Sequence, residues 1–325
     1  MVTTWYRPLP ASHGLPLAGG PLRFGSVELL SRQQPPRVVA ADTLPDDVLG
    51  PLTRPRAPLA GLPGDRTAVM GILNVTPDSF SDGGRHAAPE VAIAAARAMA
   101  AAGADIIDIG AESTRPRAAP VDLATERARL GAVVPGLAGL NWSIDTRKAA
   151  VMADAIDAGA ALVNDVSALG HDADALALVA SRGCPVVLMH AQGEPATMQD
   201  APRYADALLD VYDWLAARID ACVAAGIARD RIIADPGIGF GKDLSHNLAL
   251  LRGLTLFHGL GVPLLLGASR KQLIARIAGD VAPDDRLPGS LALALHAAAC
   301  GVQVVRVHDV AETVQALAIW RAAQG

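Results

Sequence analysis

The chain is poor in several things that mark common protein classes. Cysteine is scarce: Cys184, Cys222 and Cys300 are far apart, odd in number and form no C-x-x-C. That pattern speaks against a disulfide framework or a zinc ribbon, and apolar neighbours suit three small buried hydrophobes. Aromatic residues are only 3% of the total, too few for the stacking platform that single-stranded nucleic acid needs. Basic residues are not in excess: 28 Lys and Arg face 33 Asp and Glu, a net charge of −5. No broad positive field therefore points to nucleic acid, and an anion must be held by a local site. No run of about twenty apolar residues reads as a membrane span. The opening MVTTWYRPLPASHGLPLAGG lacks the basic-then-apolar pattern of a secretory signal. The expected location is the cytoplasm.

Apolar residues, by contrast, make up 51% of the 325 residues, and alanine is abundant. That is enough for one large domain or two modest ones, and it favours helices. Composition shifts near residue 66. Residues 1–66 hold eleven of the 23 prolines and no long periodic segment. They read as a Pro-rich N-terminal extension, partly ordered, in which PLRFGSVELLSR supplies a short strand or two.

From 67 to 325 the pattern is regular. Eight short apolar runs alternate with alanine-rich segments: AVMGILN (68–74), ADIIDIG (104–110), NWSIDT (141–146), ALVND (161–165), PVVLMH (185–190), RIIADPG (231–237), PLLLGAS (263–269) and VQVVRVHD (302–309). Continuous apolar runs of this length suit parallel strands covered on both faces. PEVAIAAARAMAAAG predicts a helix with Pro89 near its first turn and Gly103 as a stop, and TRKAAVMADAIDAG one that stops at Gly159. SHNLALLRGL and SRKQLIARI predict helices opening on serine caps, the second on Ser269. Eight strand–helix units over about 250 residues predict an α/β protein with a (β/α)8 TIM barrel. A doubly wound sheet is the alternative, but its usual Gly-rich first turn is replaced here by NVTPDSF.

Nearly every predicted strand ends in polar residues: Asn74, GAESTRP, Asp145, Asn164-Asp165, His190, Asp235, Ser269-Arg270-Lys271 and Arg306-Val307-His308-Asp309. In a barrel these ends meet on one face, where active sites are built. Asp145, Asn164 and Ser269 taken singly read as helix caps, but capping does not require Lys271, Arg306 and His308 on the same rim. Asp145, Asn164, Asp235 and Lys271 suit a planar heterocycle, because a carboxylate matches two adjacent N–H donors and a lysine donates to a ring carbonyl. Asn74, Arg306 and His308, with Thr114 and Arg115, suit a phosphate bridged by Mg²⁺. NVTPDSFSDGG and ESTRPRAAP read as mobile lids.

In order along the chain, MGILNVTPDSFSDGG, ADIIDIGAESTRP, SIDTRK, LVNDVSAL, VLMHAQGEPATMQ, IADPGIGFGKDLSHNLALL, LGASRKQLI and VRVHDV resemble the successive motifs of bacterial dihydropteroate synthase. The resemblance covers 67–325 and leaves the N-terminal extension out. It implies a folate-synthesis transferase that condenses 6-hydroxymethyl-7,8-dihydropterin pyrophosphate with 4-aminobenzoate, and is the target of sulfonamides. By motif, Asp145, Asn164, Asp235 and Lys271 hold the pterin. Asn74, Arg306 and His308 hold the pyrophosphate, with Mg²⁺ at Asn74 and Asp78 as a water-mediated neighbour. Thr114, Arg115, Pro116, Phe240 and Ser269 shape the aminobenzoate site, and Asp82 lies near the carbon that changes bonds. Arg117 and Ala111 replace glycines usual in the family.

The resemblance also implies a homodimer, through late helices such as SLALALHAAAC. Two other readings compete. A pterin-dependent methyltransferase barrel needs no pyrophosphate site, against which Lys271, Arg306 and His308 argue. A non-catalytic pterin-binding paralogue is expected to have lost Asp82, Lys271, Arg306 or His308, and all four are present.

Overall fold

A computed structural model of the chain describes residues 3–75, 84–113, 120–193 and 197–324. The barrel strands are β5 (Ala68–Asn74), β6 (Ile106–Gly110), β7 (Trp142–Asp145), β8 (Leu162–Asp165), β9 (Val186–Met189), β10 (Ile232–Asp235), β11 (Leu265–Leu266) and β12 (Val304–Val307). All eight predicted runs contain one. They form one parallel sheet in the order β10-β9-β8-β7-β6-β5-β12-β11. A single parallel bridge from Ala234 to Leu264 joins its two ends, giving a nearly closed, TIM-barrel-like ring. The covering helices are α2 (Gly84–Ala101), α3 (Leu123–Val133), α4 (Ala149–Asp157), α5 (Ala175–Arg182), α6 (Ala207–Ala224), α7 (Leu244–Arg252), α8 (Gln272–Ala278), α9 (Leu287–Ala299) and α10 (Val310–Gln324). Among the described residues no helix is long and apolar enough to cross a membrane.

The period of two along each strand sorts side chains into two cores. Val69, Ile107, Ile109, Ile144, Val163, Val186, Ile232 and Val305 point outward and pack with the helices. Met70, Ile106, Leu162, Val187, Ile233, Leu265 and Val304 point inward and fill the lower half of the ring. One or two steps further along the same parity stand Asn74, Asp108, Asp145, Asn164, Asp235 and Arg306. The barrel is therefore apolar at its floor and polar at its mouth.

Helix starts differ from expectation. The helix α2 begins at Gly84, so Pro89 lies inside it rather than in the first turn and gives up one intrahelical hydrogen bond. The cap of α7 is Asp243, whose carboxylate accepts from the His246 amide at 2.8 Å while the His246 ring accepts from the Asp243 amide at 3.3 Å. Ser245 lies within that helix. Ser269 does not cap α8 either; Lys271 is the preceding residue and offers no side-chain cap. Aspartate before the first turn outcompetes a nearby serine because it adds charge to the helix N-terminus.

The segment expected to be partly ordered carries strands β1 (Trp5–Ala11), β2 (Leu15–Pro16), β3 (Arg23–Leu30) and β4 (Arg37–Ala40), and helix α1 (Asp46–Thr53). The strands pair antiparallel, with β3 contacting the other three. They enclose a small core of Leu17, Phe24, Val27, Ala41 and Leu52. Trp5 docks the sheet on the barrel's flank against Leu209 and Leu256, and its indole donates to Asp213 at 2.7 Å. Leu59 and Leu62 then run under the ring and pack against Met70, Ile106 and Val304. These two residues plug the barrel floor before the first barrel strand begins.

Phe24 is fully buried in the small core. Phe24→Ala is expected to cost the sheet about 3–5 kcal/mol. Native-state hydrogen exchange should show β3 amides losing that protection while β7 and β8 keep theirs. Equal losses in both would show that sheet and barrel open as one unit.

Candidate active site

The mouth is organised by one guanidinium. Arg306, on the last barrel strand, donates through Nε to Asp108 at 2.6 Å and through NH2 to Asp145 at 2.8 Å. Asp108 also accepts from Ser143 at 2.6 Å and from the Asn164 amide at 2.8 Å. Four strands are thus tied together across the ring. Asp145 and Asn164, which singly read as helix caps, are instead members of this network. Burial drives the Asp145 carboxyl up to about 7, against the pull of Arg306 and with the nearby Asp108 charge adding to the rise. Arg306 is held above its ordinary value: burial works against the charge, but Asp108 and Asp145 outweigh it.

Asp235 stands on the other side of the mouth. Its Oδ1 accepts from the Gly237 amide at 2.7 Å. Burial raises its carboxyl to about 6, while Gly237, Lys271, Lys242 and Arg306 oppose the rise. Gly267 separates Asp235 from Arg306; a Cβ there would come within 3.8 Å of the first carboxylate and 3.9 Å of the arginine Cβ. Lys271 lies with its ammonium 3.9 Å from the centre of the Phe240 ring, a cation–π contact. The Ser269 hydroxyl and His308 Nδ1 are 3.1 Å apart, so Ser269 orients the histidine ring.

The loop that carries Phe240 is pinned by Lys242. This lysine is 2% exposed. Its ammonium donates to the carbonyls of Gly237 at 2.9 Å, Phe240 at 3.0 Å and His190 at 3.2 Å, and faces His190 Nδ1 at 2.9 Å. Burial lowers its ammonium to about 7; Asp235 resists and Lys271 assists. Burial, then the charge of Lys242, press His190 down to about 2, so its ring is neutral. The backbone comes so close here that a Cβ on Gly237 would sit 2.0 Å from the His190 carbonyl, and one on Gly241 2.2 Å from that of Gln192. Both glycines have positive φ, 68° and 61°, and only glycine meets both demands.

The neck of the second loop is closed by Glu112. Its carboxylate accepts from the Val121 amide at 3.2 Å, from Arg147 at 3.0 Å and from Lys148 at 2.8 Å. Lys148 also reaches buried Glu126 at 2.5 Å. Burial alone would raise the Glu112 carboxyl, but the bonds from Lys148 and Val121 and the Arg147 charge hold it below its ordinary value.

Asp145, Asn164, Asp235, Lys271, Arg306, His308, Ser269, Phe240 and Asn74 all belong to the C-terminal face of the ring. Arg306 touches Asp145 directly, so the heterocycle group and the phosphate group are one network rather than two. Asp78, Asp82, Thr114, Arg115, Pro116 and Arg117 lie outside the described residues.

The sequence matches the pterin binding enzyme family over residues 70–308. It is 48% identical over 254 residues to the dihydropteroate synthase of Escherichia coli K12, covering 77% of this chain and 89% of that one. The chain belongs to the dihydropteroate synthases. The dihydropteroate synthase of Yersinia pestis, solved with a sulfonamide drug complex, aligns with a TM-score of 0.75 at 48% identity, covering 80% of this chain and 94% of that one. The enzyme of Xanthomonas albilineans in complex with 7,8-dihydropteroate gives 0.75 at 44% identity, covering 83% and 99%.

Two residues of this dihydropteroate synthase escaped the sequence reading. Asp108 is not a strand end, so a search of termini passes over it. Its signal is parity: in ADIIDIG it shares the inward face with Ile106, and a carboxylate there must meet a partner. Lys242 sits in a glycine-rich loop, and only the fold shows that its ammonium is buried. Lys242→Met is expected to leave carbonyl oxygens and an imidazole nitrogen unpaired, at a cost of at least about 3 kcal/mol. Urea unfolding measures it; a loss under about 1 kcal/mol would mean that waters replace the ammonium without strain.

Proposed function

We infer that the chain condenses 6-hydroxymethyl-7,8-dihydropterin pyrophosphate with 4-aminobenzoate to give 7,8-dihydropteroate and pyrophosphate. Membership in the family supports this. The single observation that carries it is the gathering of buried Asp145, Asn164 and Asp235 around Arg306 at the mouth of an otherwise apolar barrel core. Carboxylates buried with raised pKa values want N–H donors, and the aminopyrimidine edge of a pterin supplies them side by side. In this reading Asp145, Asn164 and Asp235 accept from the ring edge, and Lys271 donates to the ring. Arg306 lies along the ring and reaches the diphosphate with His308 and Asn74.

The reaction is a displacement at the pterin methylene. The C–O bond to the diphosphate breaks first, and its electron pair leaves with the diphosphate. Arg306 and His308 stabilise that developing charge. The ring shares the positive charge left on the methylene, near Asp82. The aniline nitrogen then attacks and loses a proton. Phe240, Ser269, Thr114, Arg115 and Pro116 hold the aminobenzoate. Water must be kept from the cation, which it would otherwise capture.

Mg²⁺ fits this site as an ion carried by the diphosphate. Asn74 turns inward at the mouth, and among the described residues no group of three His, Cys, Asp or Glu forms a protein cage. Such an ion keeps several waters and few protein ligands. When bound it supplies charge neutralisation to the leaving group. A homodimer through α9 is part of the same reading: Ile277 on α8 and Ile319 on α10, the flanking helices, are 59% and 68% exposed. Sedimentation equilibrium decides it. The free cysteines suit a reducing cytoplasm.

A coupled assay tests the reading. Pyrophosphate release should require 4-aminobenzoate and match dihydropteroate formation, identified by mass. Folded protein that binds the pterin without turnover would instead be a non-catalytic paralogue.

The pH dependence has a definite sign. Asp235 and Asp145 have folded pKa values of about 6 and about 7, above the unfolded value. The stability they contribute is therefore complete below about pH 4 and is lost as pH rises through 6 to 7. Pterin binding needs the ionised forms and moves the other way. At pH 5, with Asp235 about one-tenth and Asp145 about one-hundredth ionised, pterin pyrophosphate affinity should be weaker than at pH 8 by at least about tenfold from Asp235 alone, and by more with Asp145. Calorimetric titration across that range would refute the assignment if affinity were flat.

A further inference from the structure

A cavity lies at the opposite end of the barrel from the mouth. It holds about 110 Å³. Its walls include Leu17 and Leu22 from the N-terminal sheet, the floor plug Leu62, Val304 at the start of the last barrel strand, and Leu317 and Trp320 from α10. The room is on the order of that in an apolar pocket that holds one small ring. The family match begins at Met70, so much of this wall comes from residues outside it.

Asp65 and Arg321, both exposed, also line the cavity, but one group withdrawn from water is out of place in its largely apolar wall. Arg56 donates from NH2 to the carbonyls of Pro51 at 2.8 Å and His258 at 2.9 Å, and from NH1 to that of Arg54 at 3.3 Å. Its Nε is buried and has no partner. No carboxylate among the described residues pairs with it. Burial, with the like charge of Arg54 adding to it, lowers its pKa to about 10. The neighbouring Arg66 is different, because both its terminal nitrogens are bound by Asp105.

A guanidinium in an apolar wall gains from any ligand that brings a counter-charge and an acceptor together. A polyphosphate needs several free cations close together; here Arg66 is paired with Asp105, Arg321 is exposed, and Arg56 is the arginine of this wall withdrawn from water with no carboxylate partner among the described residues. The hydrocarbon surface around it asks for an apolar body. We propose that the cavity binds a small amphiphilic carboxylate, with its anion on Arg56 and its hydrocarbon among Leu17, Leu62 and Trp320. The occupant does not compete with ligands of the mouth, since the packed lower core of Met70, Ile106, Leu162 and Val187 lies between.

Calorimetric titration of the full chain tests this, with hexanoate as the probe and 1-hexanol as its neutral counterpart. Hexanoate should bind one to one, at least about tenfold more tightly than hexanol, and equally well with dihydropterin pyrophosphate saturating. Arg56→Gln should remove that preference and Arg56→Lys should keep part of it. Pyrophosphate release is the control for folding and should be unchanged in both Arg56 variants. No binding at millimolar hexanoate, equal affinity for hexanol, displacement by the pterin, or a hexanoate preference that Arg56→Gln leaves intact would each overturn the proposal.

Discussion

A guanidinium held between two buried carboxylates is the constraint on which the mouth of this barrel depends. Asp108 is fully buried, and a carboxylate cannot sit at the centre of a barrel without a partner. Arg306 provides it, and in doing so fixes Asp145 and, through Asp108, Ser143 and Asn164. Everything above is arranged around a charge that is already satisfied. Asp145, which Arg306 holds at one oxygen, and Asp235 have raised pKa values, and these are the groups with most to gain from a ligand that brings donors.

Much of the architecture was legible because continuous apolar runs and the period of two carry direct physical meaning. The eight runs became eight barrel strands, and the polar residues at their ends gathered on one face. Helix starts were less legible. Ser245 and Asp243 are both good caps, and sequence does not say which one the backbone will choose. Ser269 illustrates the deeper limit: its hydroxyl serves His308 on the neighbouring strand, a contact 39 residues away that no local signal announces. Lys242 is the same case in the glycine-rich loop. Its burial follows from the close approach of Gly237 and Gly241 to the backbone after β9, which is a property of the folded ring.

The N-terminal segment was legible in part. Eleven prolines and no long periodic segment read as a partly ordered extension with a short strand or two in PLRFGSVELLSR, where β3 lies. Yet an antiparallel sheet needs only alternating apolar residues and a partner surface, and Phe24, Val27 and Trp5 supply both. Pro16 ends β2 and Pro55, Pro58 and Pro63 lie in the connection to the barrel, where a missing donor costs little, while Pro8 and Pro10 are carried within β1 and Pro51 within α1. That connection matters to the rest of the molecule, because Leu59 and Leu62 close the barrel floor. The apolar lower core is thereby sealed from both ends: by the plug below and by the ion network above.

The most direct test of this account is a double-mutant cycle on pterin pyrophosphate affinity, using Arg306→Gln, Asp145→Asn and the pair. If the two side chains act on the ligand as one unit, the cycle should return a coupling of about 1–3 kcal/mol. Additive losses, with coupling within about 0.3 kcal/mol of zero, would mean that the arginine and the aspartate contact the ligand independently and that the network does not organise the site.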